Sequence, residues 1–119
     1  MEIRYEMKDD VLIPVLKGEL DHHSAGEIRD NIDNTYKAFK AKHIVLSFDD
    51  LTFMDSSGIG LIMGRYKKVR EEGGKIAIIG CNEYILRILE LAGIYTIAQC
   101  YADLEEAMAA FNKGEEEGI

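Results

Sequence analysis

The 119-residue chain has no tryptophan, a single proline and two cysteines. Two cysteines cannot build the disulfide framework of a small secreted domain, and Cys81 and Cys100 show no Cys-x-x-Cys spacing. With no secretory leader ahead of them, they read as reduced thiols in a cytoplasmic protein. Basic residues are also scarce: 14 Lys and Arg stand against 22 Asp and Glu, a net charge of -8. Such a chain is repelled by phosphate backbones and anionic lipid heads, which argues against nucleic-acid and membrane-surface partners. No apolar run approaches the length that spans a bilayer. Disordered and collagen-like classes fall too, because 47% of the residues are hydrophobic and eleven glycines accompany the one proline. What is there suits one compact domain that needs neither metal nor disulfide for stability.

The acidic excess is uneven. Between Asp103 and Ile119 stand six acids and one base, which carry five of the eight net negative charges. We therefore divide the chain into a domain over residues 1–112 and a solvated acidic tail over 113–119.

Periodicity orders the elements. Glu2 to Met7 and Val11 to Lys17 form an opening hairpin around Lys8-Asp9-Asp10, and Pro14 should place the second strand at an edge or give it a bulge. Ser24-x-x-Glu27 matches a capping box, followed by Ile28, Ile32, Tyr36 and Phe39 at helical spacing. The apolar run Ile44 to Phe48 is a buried strand, and Asp49 to Met54 a connecting loop. A second helix starts near Ser57 with Ile59, Ile62, Met63, Tyr66 and Val69 inward, and ends before Gly73-Gly74. Lys75 to Ile79 is a strand, and Asn82 caps a third helix that buries Ile85, Ile88 and Leu89 and stops at Gly93. Tyr95 to Ala98 supplies a last short strand, and Asp103-x-x-Glu106 opens a fourth helix with Leu104, Ala107, Met108 and Phe111 inward. The expectation is a single α/β domain: a mixed sheet of about five strands with an N-terminal hairpin and four helices.

One segment stands out for chemistry, Phe53-Met54-Asp55-Ser56-Ser57-Gly58-Ile59-Gly60. It precedes the second helix, where unpaired N–H groups and the helix dipole favour an anion. Ser56 or Ser57 could serve simply as the cap. That does not account for Gly58, Gly60 and Gly64, since a glycine inside a helix costs about 1 kcal/mol relative to alanine. Gly60 and Gly64 would let another backbone pack close, and Gly58 would let a partner reach the helix end.

With Gly64-Arg65-Tyr66-Lys67 downstream and Gly18-Glu19-Leu20-Asp21-His22-His23 upstream, this segment resembles the STAS-domain anti-sigma-factor antagonists over nearly the whole domain. The resemblance implies partner switching. The unmodified antagonist binds an anti-sigma factor that is also a serine kinase, and so frees the sigma factor. The kinase phosphorylates the first serine of Asp-Ser-Ser-Gly, here Ser56, and the complex falls apart; a metal-dependent serine phosphatase reverses the change. Ser57 matches the neighbouring serine, which is not the main acceptor, Asp21 and Asp55 match positions near the contact surface, and Ile59 falls where the family often has leucine. The implied partner-binding set is Asp21, Asp55, Ser56, Ser57, Gly58 and Ile59, in a sporulation-type transcription regulator. From its size and class, a small α/β domain of this kind is expected to be a monomer when alone. The alternative is a STAS scaffold in stress signalling or a transport complex, with no phosphorylation switch.

Other motifs are weaker. Asp21-His22-His23 lacks a second ligand cluster, and adjacent histidines usually point apart, so a turn role is preferred over metal. His43, before a buried strand, is read as structural. Asp49, Asp50 and Asp55 all follow one strand, unlike the divided acids of a receiver domain. There is no Gly-x-Ser-x-Gly, no phosphate loop and no His-Glu-x-x-His. We expect a non-enzymatic binding module with no cofactor and no metal.

Overall fold

The structure, a computed structural model, describes residues 1–117, with the backbone alone for 114–117. Five strands lie in the order of the sequence: β1 (Glu2–Lys8), β2 (Val11–Leu20), β3 (His43–Met54), β4 (Ile76–Ile79) and β5 (Gln99–Tyr101). β1 runs antiparallel to β2 as the expected hairpin, and every later neighbour is parallel. The four helices are α1 (Ala25–Ala38), α2 (Ser56–Glu71), α3 (Glu83–Leu91) and α4 (Leu104–Glu117).

Side chains alternate across the sheet with a period of two and so divide the core. Leu12, Leu16, Ile44, Leu46, Phe48 and Ile78 face one way, where Ile28 and Ile32 of α1, Ile62 and Val69 of α2, and Ile85 and Leu89 of α3 cover them. Val11, Ile13, Val15, Val45, Ala77 and Ile79 face the other way, against Ala107 and Phe111 of α4. Three helices therefore lie on one face and one on the other. Among the described residues no helix is long and apolar enough to cross a membrane.

Several local expectations change. Asp49 to Met54 is strand, not loop. β2 continues to Leu20 and pairs with it through Lys17 with Asp50, Gly18 with Leu51, Glu19 with Phe53 and Leu20 with Met54, which buries Leu51 and Met54. Pro14 lies in an inner strand; the pairing with β3 is interrupted at Ile13 and Pro14 and resumes at Val15, and the register shifts come later, beyond Val15 and Gly18. The last strand is Gln99–Tyr101 rather than Tyr95 to Ala98. After Gly93, in the left-handed region at φ 71°, a 3₁₀ turn over Ile94–Thr96 takes the N–H groups of Ile97 and Ala98 back to the Ile94 carbonyl. Phe39 and Met63, expected inward, are exposed.

α2 instead buries Arg65, whose Nε lies 2.8 Å from Asp33 Oδ1 on α1 in an ion pair too poorly aligned to be a hydrogen bond. Lys68 approaches the other Asp33 oxygen at 3.7 Å. His43 is structural, as expected: it is buried and its Nδ1 accepts the Lys75 N–H at 2.9 Å. Asn82 and Asp103 cap α3 and α4 with side-chain oxygens 2.8 and 2.9 Å from the Ile85 and Glu106 N–H groups. The backbone of Glu115 to Glu117 belongs to the last turn of α4, and residues 118–119 of the acidic segment lie outside the described residues.

Candidate functional site

The site is built at the carboxyl ends of β2 and β3. Leu20 and Met54, the last residues of these strands, are register partners, and the Asp55 N–H donates to the Leu20 carbonyl at 3.2 Å. The two chain segments leaving the sheet, Asp21 to His23 and Asp55 to Ser57, therefore emerge side by side. This edge of a parallel sheet is where α/β proteins place their ligands.

Asp55, not a serine, caps α2. Its backbone is extended and its Oδ1 accepts the Ser57 N–H at 2.8 Å, while its carbonyl accepts the Gly58 N–H at 3.0 Å. Ser56 becomes the first helical residue, one position earlier than expected, and its side chain is exposed. Among the described residues the Ser56 hydroxyl takes no hydrogen bond, so it stands open at the positive end of the α2 dipole. Ser57 is half-buried behind it.

Asp21 is turned into its own loop. Its Oδ1 accepts the N–H groups of His23 and Ser24 at 2.9 and 3.1 Å and lies 3.3 Å from the Ser24 hydroxyl. Desolvation acts to raise its pKa, but the hydrogen bonds from Ser24 and His23 outweigh it and hold the carboxyl below the usual carboxylate range. The expected capping box does not form. Ser24 makes no cap bond; its hydroxyl donates to the Glu19 carbonyl at 3.0 Å and accepts the Asp21 N–H at 3.1 Å. The histidines do not point apart, since their ring centroids are 3.9 Å from each other. His22 Nδ1 lies 4.0 Å from Asp55 Oδ2, which joins the two segments across the site.

The glycines exchange roles. A Cβ on Gly58 would lie 2.2 Å from Met54 Cγ and 3.2 Å from Leu20 Cδ2, so Gly58 is the close-packing glycine that lets α2 press onto the strand ends. Gly60 and Gly64 have open space where a side chain would be. Ile59 is half-buried and packs against the core. Of the six residues singled out, Asp55, Ser56 and Ser57 form the cap itself, Asp21 braces the neighbouring turn, Gly58 lies beneath, and Ile59 lies one turn along α2.

The sequence reading gave no role to Phe53, although it quoted it in the motif, and did not single out Tyr84. Phe53 and Tyr84 are both partly exposed, and their rings stack with centroids 6.4 Å apart. The Tyr84 hydroxyl, 3.5 Å from the Met54 carbonyl, connects α3 to the strand end that carries the site. The available signal was Phe53 itself, which alternates outward beside inward Met54 once both are assigned to a strand.

Comparison with known proteins gives the family and the fold. The family model of the STAS domain matches residues 2–107. The anti-sigma F factor antagonist of Paenibacillus polymyxa is 41% identical over 101 residues, covering 85% of this chain and 86% of that protein. Two solved structures of an anti-sigma factor antagonist superimpose with a TM-score of 0.70 each. One is SpoIIAA in its unphosphorylated form, 27% identical and covering 92% of this chain and 96% of that one. The other is the Bacillus cell fate determinant SpoIIAA in the phosphorylated form, 28% identical and covering 92% and 98%.

Proposed function

This chain belongs to the STAS domain family, and we propose that within it the protein is an anti-sigma factor antagonist switched by phosphorylation of Ser56. Unmodified, it binds an anti-sigma factor serine kinase through Asp21, Asp55, Ser56, Ser57 and Ile59, with the buried Gly58 setting α2 against the strand ends beneath them rather than touching the partner, and releases the sigma factor. The kinase transfers a phosphate to Ser56, which ends the complex, and a metal-dependent serine phosphatase restores it. The protein acts in the cytoplasm, as a monomer when alone, in sporulation-type transcription control. Its own chain supplies an acceptor and a binding surface rather than catalysis.

The observation that carries this reading is the open Ser56 hydroxyl at the first position of α2, directly after a carboxylate cap. A phosphate there adds about -1.5 to -2 charges and three acceptor oxygens. It lands on the most exposed position of the cap, where an incoming surface would meet it first.

The test is intact-mass spectrometry with peptide mapping after incubation with ATP, magnesium and an anti-sigma serine kinase from the same genome. One phosphate on Ser56, absent from Ser56→Ala, is expected. An unmodified chain beside a kinase active on another substrate would move the reading to a STAS scaffold that works by binding alone.

A further inference from the structure

Beyond the carboxyl end of β4, two half-buried thiols meet. Cys81 follows β4 by two residues and Cys100 is the middle residue of β5, yet their sulfurs are 3.6 Å apart. Gly80 brings this about. Its φ of +73° is one that L side chains rarely adopt, and its N–H donates to the Tyr101 carbonyl at 3.3 Å. The chain thus leaves β4 alongside β5 and turns Cys81 back over Cys100. A cleft of about 250 Å³, lined by Gly80, Cys81, Leu86, Cys100, Tyr101 and Ala102, opens beside the pair.

We propose that Cys81 and Cys100 are a reversible redox pair that closes to an intramolecular disulfide by exchange with a small-molecule disulfide. Cys100 is held in the β5 ladder and Cys81 sits in the connection between β4 and α3, so that connection supplies the movement. A sulfur contact of 3.6 Å must shorten to a bond of about 2.05 Å. The thiols are also unequal. The hydrogen bond from Cys81 favours the Cys100 thiolate, and Tyr95 adds to it against the effect of burial, so Cys100 titrates below its ordinary value. The same hydrogen bond, together with burial, pushes the Cys81 thiol up.

In the first step the thiolate of one cysteine bonds to one sulfur of the small disulfide, whose S–S bond breaks; the departing thiolate takes up a proton. The other cysteine then gives its proton to solvent and attacks the protein sulfur of the mixed disulfide, and the second small thiolate leaves and takes up a proton. Two protein thiols are oxidised by two electrons, and one small disulfide is reduced to two thiols.

The experiment equilibrates the full chain with mixtures of oxidised and reduced glutathione, quenches with N-ethylmaleimide, and reads intact mass and non-reducing peptide maps. Both alkylation sites should be lost together, with one Cys81–Cys100 cross-link inside the monomer. Closure is expected at a redox quotient about tenfold or more lower than for the same chain unfolded in urea, because folding holds the sulfurs in contact. Cys81→Ser and Cys100→Ser cannot close and should stop at a glutathione adduct on the remaining thiol. Thiols that stay alkylatable on the folded chain where the unfolded chain is oxidised, or cross-links between chains in place of the internal one, would overturn the pair; this measurement needs no variant. Failure of both single variants to take up glutathione where the wild type closes would overturn exchange as the route.

Discussion

Alanine at each of the three glycines of α2 should move stability in opposite directions. In an exposed helix interior, glycine to alanine is worth about 0.5–1 kcal/mol in favour of alanine. Gly60 and Gly64 meet nothing within 4 Å of the added Cβ, so Gly60→Ala and Gly64→Ala should each gain that amount. At Gly58 the added atom would lie 2.2 Å from Met54 Cγ and 2.6 Å from its Sδ. Met54 is 1% and Leu20 0% exposed, so neither has free space to enter. Overpacking of this kind costs about 1–3 kcal/mol, and at most about 1 kcal/mol of helix propensity offsets it. The net expectation is a loss of about 1–2 kcal/mol. With an unfolding entropy of about 2.1 cal/mol/K per residue, 1 kcal/mol moves the Tm of a chain this size by about 4 °C. Gly60→Ala should therefore melt about 2–4 °C above the wild type and Gly58→Ala about 4–8 °C below it, by calorimetry or circular dichroism, with urea midpoints in the same order. A Gly58→Ala protein that melts at or above the wild type would refute the close-packing role and return Gly58 to the surface.

Three further expectations follow from the same contacts. Asp21→Ala should lower the Tm, because two backbone N–H groups lose their acceptor. The folded pKa of Asp21 is depressed, so its contribution is full above the ordinary carboxylate value of about 3.9 and is lost as pH falls through the folded value; the Tm gap should narrow toward pH 2, and a gap that widens there would reverse the assignment. Asp33→Ala should cost about 3 kcal/mol in urea unfolding, since it strands the buried Arg65, whereas a loss under 1 kcal/mol would show that Arg65 reaches solvent or another partner. Tyr84→Ala should weaken binding of the anti-sigma kinase roughly tenfold, or about 1.4 kcal/mol, by surface plasmon resonance, as removal of a partly exposed aromatic anchor does; unchanged affinity would place the Phe53 and Tyr84 stack outside the interface.

The sequence was most legible where the deciding contact is local. Asn82 and Asp103 were readable as caps because each oxygen reaches an N–H three residues on. The β1–β2 hairpin was readable for the same reason. Legibility failed where a distant segment decides. Asp49-Asp50-Leu51-Thr52-Phe53-Met54 looks like a loop until the extension of β2 pairs with it, and no property of the six residues announces that extension. The glycines failed likewise: which of the three lies over Met54 depends on how α2 is set on the strand ends, a tertiary fact. Cys81 and Cys100 meet only because β4 and β5 are neighbours and Gly80 turns the chain back. At the candidate site, Ser56 and Asp55 were found from the motif. Which of the two caps the helix was not, because serine and aspartate are both good caps and adjacent positions compete.

That distinction decides how a charge at Ser56 would act. Had Ser56 been the cap, its hydroxyl would be engaged with the helix, and a phosphate would remove a stabilising bond. Asp55 holds that post, with its oxygen on the Ser57 N–H, and leaves the Ser56 side chain outside. In the free protein the added charge meets two opposed and solvent-weakened effects, the α2 dipole, worth about 0.3–1 kcal/mol in its favour, and the neighbouring Asp55 carboxylate against it. These nearly cancel, so fold stability is a poor reporter of the modification. Once a partner closes over Ser56 and excludes water, repulsion between like charges at 4 Å rises from about 1 kcal/mol in water toward about 4 kcal/mol at an effective dielectric near 20. The switch we propose therefore resides in the interface, where the same charge acts without its screening.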